Sequence, residues 1–443
     1  MIKWFNSSNR KNRLLAVMAM AIAFSGCGEK DSSHFSVSNV ALNKTSITII
    51  LGLEDSETLT ATIEPDNATN KGVIWSSNNT SVAIVDQEGH VLAIAEGMAV
   101  ITVTTLDGYY TAGCMVQVGS VAGTPNIIMT TESASISLAL QGFSTALIDW
   151  GDGTHDVYEP PALTEFSHAY SGSLSRTIAI FGTNIIWLAC NDNQLKELDV
   201  SGSARLRRLQ CHNNQLTSLD VRGLTALMEL DCSHNQLTIL DVSGCAALAA
   251  LDCSHNQLTS LDVRGLTALV ELYCSHNQLT SLDVNGYAAL AALDCSHNQL
   301  TSLDVSRCAA LAALDCSHNQ LTSLDVHRYA ALAALDCSHN QLTSLDVRRR
   351  GLLVAIDCSY NQLTELDMTE SRSLIMLNCR YNYMNANALN VLFLSMPFTW
   401  ERNKVIFIGY NGPNYDGSGT AGCNRHIIHA SGYSIDYSWT ILD

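Results

Sequence analysis

The chain of 443 residues reads as mainly β, with two strand-rich segments leading into a solenoid. Three observations predict this. From Leu188 the sequence repeats every 21 residues, and Leu188, Leu209, Leu230, Leu251, Leu272, Leu293, Leu314, Leu335, Ile356 and Leu377 open ten copies. A fixed period of this size marks stacked units that cannot bury an apolar face alone. Upstream, residues 36–186 form short runs rich in Val, Ile and Thr, broken by Asn, Asp and Gly turns. Apolar residues make up 47% and charged residues 15%, which suits packed cores and not a disordered acidic chain.

Asp and Glu outnumber Lys and Arg 42 to 24, for a net charge of −18. A nucleic-acid partner is therefore not expected, because phosphate-backbone binders concentrate basic residues. At the N-terminus, Lys3, Arg10, Lys11 and Arg13 precede an apolar run from Leu14 to Gly26. That run is short of the ~20 residues that span a bilayer and reads as a signal segment. Ser25-Gly26-Cys27 resembles the lipobox of bacterial lipoproteins, although Phe24 stands where that family usually carries Leu. The resemblance implies that residues 1–26 are removed and that Cys27 is acylated, so the membrane is met only through lipid. An ordinary cleaved secretory signal is the other reading of these residues. Removing residues 1–26 deletes four bases and no acid, which takes the charge to −22. Gly28-Glu29-Lys30-Asp31, within a tether at 27–35, resembles the acidic tethers of surface-exposed outer-membrane lipoproteins.

Residues 36–120 carry Trp75-Ser76-Ser77, Val82-Ala83, Gly89, Gly97 and Ala99-Val100-Ile101. This pattern resembles the bacterial immunoglobulin-like domain of group 2, a β-sandwich spacer or adhesive module. Trp75 is expected in the inter-sheet core, with Gly89 and Gly97 at turns where a side chain would strain the backbone. In residues 121–186, Ile148 to Thr154 (IDWGDGT) with Phe166-Ser167-His168-Ala169-Tyr170 looks like a polycystic-kidney-disease-type (PKD-like) β-sandwich fragment. Asp149, Asp152, Asp156 and Glu159 raise the question of calcium. They lack the alternating spacing of a calcium loop, so a tight Asp152-Gly153 turn is the stronger reading. His168 is expected as a packed strand residue, and Thr177–Ile180 as a strand covering the open end of the solenoid.

Within residues 187–382 each copy embeds L-x-x-L-x-C-x-x-N-x-L, as in Leu248, Leu251, Cys253, Asn256 and Leu258. This resembles the leucine-rich repeat with cysteine in one leucine slot. Leu251 and Cys253 alternate with Asp252 and Ser254, so a short strand points apolar residues inward. Asn256 is expected to satisfy backbone groups at the turn, forming an asparagine ladder, while Leu258, Leu261, Val263 and Leu269 fill the core. Cys190, Cys211, Cys232, Cys253, Cys274, Cys295, Cys316, Cys337, Cys358 and Cys379 share one inward position. With no Cys-x-x-Cys pairing they read as a column of small buried hydrophobes. Cys245 and Cys308 fall in the variable convex part.

The outward face is the candidate binding site. One column holds Gln210, Asp231, Asp252, Tyr273, Asp294, Asp315, Asp336, Asp357 and Asn378, and a second holds Ser254 and its equivalents. A third holds His234, His255, His276, His297, His318 and His339, preceded by Asp192 and Asn213 and followed by Tyr360 and Tyr381. Six equivalent histidines single out no nucleophile and base, so catalysis is not expected. A regular ladder supplies charge without a closed coordination shell, so neither metal nor cofactor is expected. Crowded carboxylates should raise one another's pKa and also those of the histidines.

A second acidic column, Asp199, Asp220, Asp241, Asp262, Asp283, Asp304, Asp325, Asp346 and Asp367, precedes turns and reads as structural. Residues 383–443 should cap the last copy, with a short helix at 386–397 and a strand and turn in which Gly409 and Gly412 adopt unusual backbone angles. The whole resembles internalin-like bacterial surface proteins, which implies a monomeric, non-enzymatic binding or adhesion protein with an extracellular protein or glycan ligand. A carbohydrate-binding component using Tyr273, Tyr360 and Tyr381, or a structural spacer, are the alternatives.

Overall fold

The computed structural model describes residues 35–51, 55–120, 124–172, 174–326, 330–396, 404–409, 411 and 433–436. The chain divides into two units, Met1–Thr124 and Pro125–Asp443. In the first, alternating apolar residues build β1 (Asn39–Leu42), β2 (Ser46–Leu51), β3 (Ser56–Thr58), β4 (Ala61–Glu64), β5 (Val73–Ser77), β6 (Ala83–Val85), β7 (His90–Ala93), β8 (Gly97–Thr105) and β9 (Thr111–Ser120). Strand order is β2-β9-β8-β5 in one sheet and β3-β7-β6 in another, while β1 pairs with β4. Trp75, Ile101, Val103, Cys114 and Val116 form the core, the place expected for Trp75. Gly89 has φ +88°, and a Cβ there would lie 2.3 Å from the Leu59 carbonyl oxygen. Gly97 opens β8 at φ +139° against Val82.

The second unit begins with β10 (Ile127–Thr131), β11 (Ser135–Gly142), β12 (Ala146–Asp149), β13 (His155–Tyr158), β14 (Thr164–Ala169), β15 (Arg176–Phe181), β16 (Ile185–Ala189) and β17 (Leu195–Asp199). IDWGDGT is the β12–β13 hairpin, with Gly151 and Gly153 at positive φ. Asp149 accepts the Gly151 amide, Asp156 accepts the Trp150 indole N–H, and Asp152 accepts the Thr154 amide and hydroxyl. The Thr154 hydroxyl and then His168 hold the Asp152 carboxyl down to about 2. His168 stacks on Trp150 with ring centres 5.0 Å apart and pairs with Asp152 at 2.8 Å. These acids are turn and strand partners.

Thr177–Ile180, expected to cover the open end of the solenoid, is not the strand paired with the first rung. It lies in β15, inside the order β13-β12-β15-β10-β17, with Ile178 and Ile180 fully buried. The strand against the first rung is β11, whose alternating Ile136, Leu138 and Leu140 supply an apolar face, and it pairs antiparallel with β16 through Leu140 and Leu188. β11 thereby joins the solenoid sheet, and one buried core runs without a break from Ile127 to Ile408.

The rungs are β16 followed by β18 (Arg208–Gln210), β19 (Glu229–Asp231), β20 (Ala250–Asp252), β21 (Glu271–Tyr273), β22 (Ala292–Asp294), β23 (Ala313–Asp315), β24 (Ala334–Asp336), β25 (Ala355–Asp357) and β26 (Met376–Asn378). All pair in parallel with leucine opposite leucine, as Leu293 faces Leu314, apart from Ile356 in β25. Asn298 shows how each turn closes. Its Nδ2 donates to the carbonyls of Cys274, Cys295 and Ser296, and its Oδ1 accepts the Leu279 amide at 2.9 Å. Equivalent bonds recur from Asn214 to Asn382, and Asn411 donates to Cys379 and Ile408.

All thirteen described cysteines are buried free thiols. Burial pushes the Cys190 thiol up to about 12 and the rest of its column up as well. Cys245 and Cys308 lie on the return limb but are fully buried, each donating Sγ–H to a valine carbonyl at 3.3 Å. Tyr287 and Ser371 hydroxyls do the same at equivalent positions. The second acidic column caps turns as expected: Asp220, Asp262 and Asp304 accept the amide two residues on.

Beyond Asn382, helix α1 (Ala386–Ser395) starts at Asn385, whose side chain accepts the Ala388 amide, and it buries Leu389, Leu392 and Phe393. β27 (Lys404–Phe407) and β28 (Tyr433–Asp436) then extend the ladder in parallel, Leu377 facing Ile406 and Ile406 facing Ile435, 29 residues apart each time. The segment expected as a cap therefore first continues the sheet. Gly409 keeps an ordinary φ, so no left-handed angle is needed there. Gly412 lies outside the described residues.

Replacing Asn298 by Ala orphans the buried Leu279 amide and takes one of two donors from the carbonyls of Cys274, Cys295 and Ser296, and it should cost about 2 kcal/mol in chemical denaturation. The column cysteines should resist a bulky alkylating reagent in native protein and all react after denaturation without reductant. Disulfides between neighbouring copies would contradict this.

Candidate binding face

Each rung turns its first and third residues outward. The third positions bring the predicted acids into register: Asp231 faces Asp252, Asp252 faces Tyr273, Tyr273 faces Asp294, and Asp294, Asp315, Asp336 and Asp357 follow. All are half-buried. Each acid is fixed by the serine two residues on. Asp252 Oδ1 accepts the Ser254 amide at 2.9 Å and the Ser254 hydroxyl at 2.6 Å. The amides of Ser296, Ser317 and Ser338 bind Asp294, Asp315 and Asp336 in the same way. The serine column is buried and serves the acids. The second acidic column is expected to be structural because it precedes turns; the same bond to the amide two residues on is made here, where it is not expected.

Burial pushes the Asp336 carboxyl up, with Asp315 and Asp357 adding to it against the Ser338 bonds. Asp357 gives its other oxygen to Asn378 at 2.7 Å, and Asp231 pairs with His212 at 2.8 Å. Burial, then Glu271, raises the Tyr273 hydroxyl. The first outward position is apolar over much of the face, with Ala250, Ala292, Ala313, Ala334, Ala355 and Met376.

The histidines sit just beyond the strands, all with φ between 50° and 53°. Their amides donate to the serine carbonyl of the next copy at 2.9–3.0 Å. His, Asn and Asp tolerate this left-handed region better than most residues, which accounts for Asp192 and Asn213 at the same position. From His234 to His339 the rings stack with centres 4.0–4.1 Å apart and planes within 11–13°, and Tyr360 and Tyr381 extend the stack. No sequence signal distinguished a stack from a row of separate solvated rings.

The acids do not raise His255, His276, His297, His318 or His339. Burial first, then a neighbouring imidazole, lowers His255, His276, His297 and His318; burial lowers His339 despite Asp357. Partial desolvation and like charge in the adjacent ring outweigh the carboxylates. Cys27 lies outside the described residues. Among the described residues one group, Asp86, Glu88 and His90, gathers three possible ligand atoms within 4.8 Å, and there Asp86 already binds His90 at 2.8 Å and the Glu88 amide.

The stack sets a pH window. A folded-state histidine pKa below the unfolded value near 6.5 means that the unfolded chain binds more protons at mildly acidic pH. The stabilisation is whole above that value and is lost as pH falls through the lowered folded values. The groups facing the stack are the neighbouring imidazoles and Asp252, Asp294, Asp315 and Asp357. Two adjacent protonated rings at this spacing repel by about 1 kcal/mol even at water-like dielectric. The denaturation midpoint should therefore fall between pH 7.5 and 5.5, and fall less in His276→Asn/His318→Asn.

The bacterial Ig-like domain (group 2) matches residues 36–116, and the leucine-rich-repeat family (two copies) matches residues 246–286. An uncharacterized protein of Clostridium acetobutylicum is 35% identical over 120 residues, 26% of this chain and 12% of that one. An alpha-L-arabinofuranosidase of Bifidobacterium longum is 42% identical over 88 residues, 20% of this chain and 7% of that one. The chain thus spans a small part of these relatives' length. Among solved structures, the functional domain of InlJ from Listeria monocytogenes, which includes a cysteine ladder, aligns at TM-score 0.47 and 33% identity, covering 51% of this chain and 49% of that one. The effector YopM from Yersinia pestis aligns at 0.37 and 26%, covering 41% and 50%. The chain carries a segment that matches the group 2 bacterial immunoglobulin-like domain, followed by leucine-rich repeats.

Proposed function

We propose that the chain is a surface-anchored, non-enzymatic binding protein that presents the strand face of its repeats to a cationic protein partner. The observation that carries this reading is the in-register acid row, each carboxylate already fixed by its serine. Neighbouring acids stand ~4.8 Å apart along the rungs and lose little freedom on binding, so a basic surface meets a preorganised field. The alanine row beside them gives a flat apolar strip for the partner's aliphatic side chains. A glycan reading has less support: both faces of Tyr360 and one face of Tyr381 are taken up by the stack. Catalysis also has little support, because hydroxyls such as Ser254 Oγ donate to the acid beside them and not to a histidine base. Surface anchoring rests on the lipobox-like Ser25-Gly26-Cys27.

The test is binding of full-length chain to candidate extracellular proteins at low and high salt. Wild-type binding should weaken with salt, and Asp294→Asn/Asp315→Asn/Asp336→Asn should lose about tenfold at low salt together with most of the salt dependence. The fold should persist, since Asn378 already occupies this column. Binding unchanged in the triple variant would move the site off this face. Separately, Cys27→Ser should release the chain from the membrane fraction; continued lipid labelling of that variant would refute the anchor.

A further inference from the structure

One end of the first unit carries a tip of exposed apolar side chains. The hairpin between β8 and β9 closes through Leu106, Asp107, Gly108, Tyr109 and Tyr110. Of these, Leu106, Tyr109 and Tyr110 are 48%, 79% and 41% exposed. The tip is held stiffly. The Thr105 hydroxyl donates to the Asp107 carbonyl at 2.7 Å and accepts the Tyr110 amide at 3.0 Å, while the Leu106 amide donates to the Gly72 carbonyl at 2.8 Å. Tyr109 stands at φ +55°, a left-handed angle that glycine or asparagine enters far more readily than a bulky residue. Local folding therefore does not select tyrosine there, and among the described residues its hydroxyl makes no hydrogen bond.

The chain enters the unit at this same end. The Val37 amide donates to the Asp107 carboxylate at 3.1 Å. Phe35, itself 44% exposed, exchanges hydrogen bonds with Thr69, three residues before Gly72. Seven residues, 28–34, separate Phe35 from the lipobox-like Cys27. An acyl group on Cys27 is thus within ~30 Å of Phe35 even at full extension. The far end of β8, nine residues long, stands about 30 Å farther off. An anchored unit keeps the tip beside the bilayer. Tyrosine favours the bilayer–water interface, where its ring lies among headgroups and its hydroxyl stays wet. Charge at this end is mixed, Lys71 against Glu64 and Asp66, with Asp107 already bonded, so the contact is apolar and depends little on salt.

We propose that the β8–β9 tip, through Leu106, Tyr109 and Tyr110, inserts into the headgroup region of the membrane that holds the acylated Cys27. This rests on the surface-anchored reading and adds a second point of contact. The lipid supplies the high local concentration, and the tip sets which end of the unit faces the bilayer.

The test uses full chain purified from membranes and reconstituted into phosphatidylcholine–phosphatidylethanolamine vesicles, part of whose lipid carries a nitroxide near the headgroup end of an acyl chain. A fluorophore is attached at Tyr109→Cys, at Lys71→Cys on the same end, or at Thr80→Cys beyond the far end of β5. The described native cysteines are buried, and unsubstituted chain treated alike gives the background. Flotation reports the anchor, and quenching reports the tip. Probes at 109 and 71 should be quenched at least about threefold more than the probe at 80, at low and high salt alike. Leu106→Ser/Tyr109→Ser/Tyr110→Ser in the Lys71→Cys chain should abolish that excess without loss of flotation. Chain that floats with equal quenching at 71 and 80, or whose excess at 71 survives the serine substitutions, overturns the tip and leaves the anchor standing. Chain that fails to float refutes the anchor, and the tip with it.

Discussion

Each turn of the repeat must reverse the chain inside an apolar core, where an unpaired amide or carbonyl is costly, and the buried asparagine makes that possible. Asn298 takes three carbonyls and one amide from two successive copies, so it closes its own turn and ties it to the one before. That bond set reinforces the backbone bonds between rungs, such as that from the Cys295 amide to the Asp315 carbonyl, which keep leucine opposite leucine. The cysteine column, the acid row and the histidine stack all inherit their alignment from that register.

Register converts a repeated sequence into repeated chemistry. Because rungs pair without offset, a residue type at one position becomes a straight row, and rows acquire properties that single residues lack. Buried thiols in a row become inert small packing units. Acids in a row become a fixed field because the serine two residues on holds each one. Imidazoles in a row desolvate and repel one another, so they favour the neutral form although carboxylates lie close by.

Much of this was legible in the sequence. The 21-residue period, the inward leucines and cysteines, the asparagine ladder and the outward acids follow from alternation and spacing alone, while Trp75 in the first core followed from the resemblance to the immunoglobulin-like domain. What escaped was non-local or depended on angle. No local pattern says that β11 rather than β15 lies against the first rung, since both are alternating strands and the choice is made by pairing across more than forty residues. The sign of the histidine shift required the ring stack, which follows from a left-handed backbone angle that periodicity does not reveal. The role of the serines escaped because Asp beside Ser and His suggests a different chemistry from that of an acid fixed by its neighbour's amide and hydroxyl.

The junction between β11 and β16 has a consequence for how the chain finds its structure. The middle copies are nearly identical, so a rung displaced by one whole copy would meet an almost equivalent partner, and the packing energy of the middle alone distinguishes such states poorly. β11 is not a copy of the repeat, and its antiparallel pairing with β16 fixes which copy is first. Once that origin is set, every later rung has one correct neighbour. The irregular N-terminal strands thus act as the zero mark of a ruler whose divisions are otherwise indistinguishable.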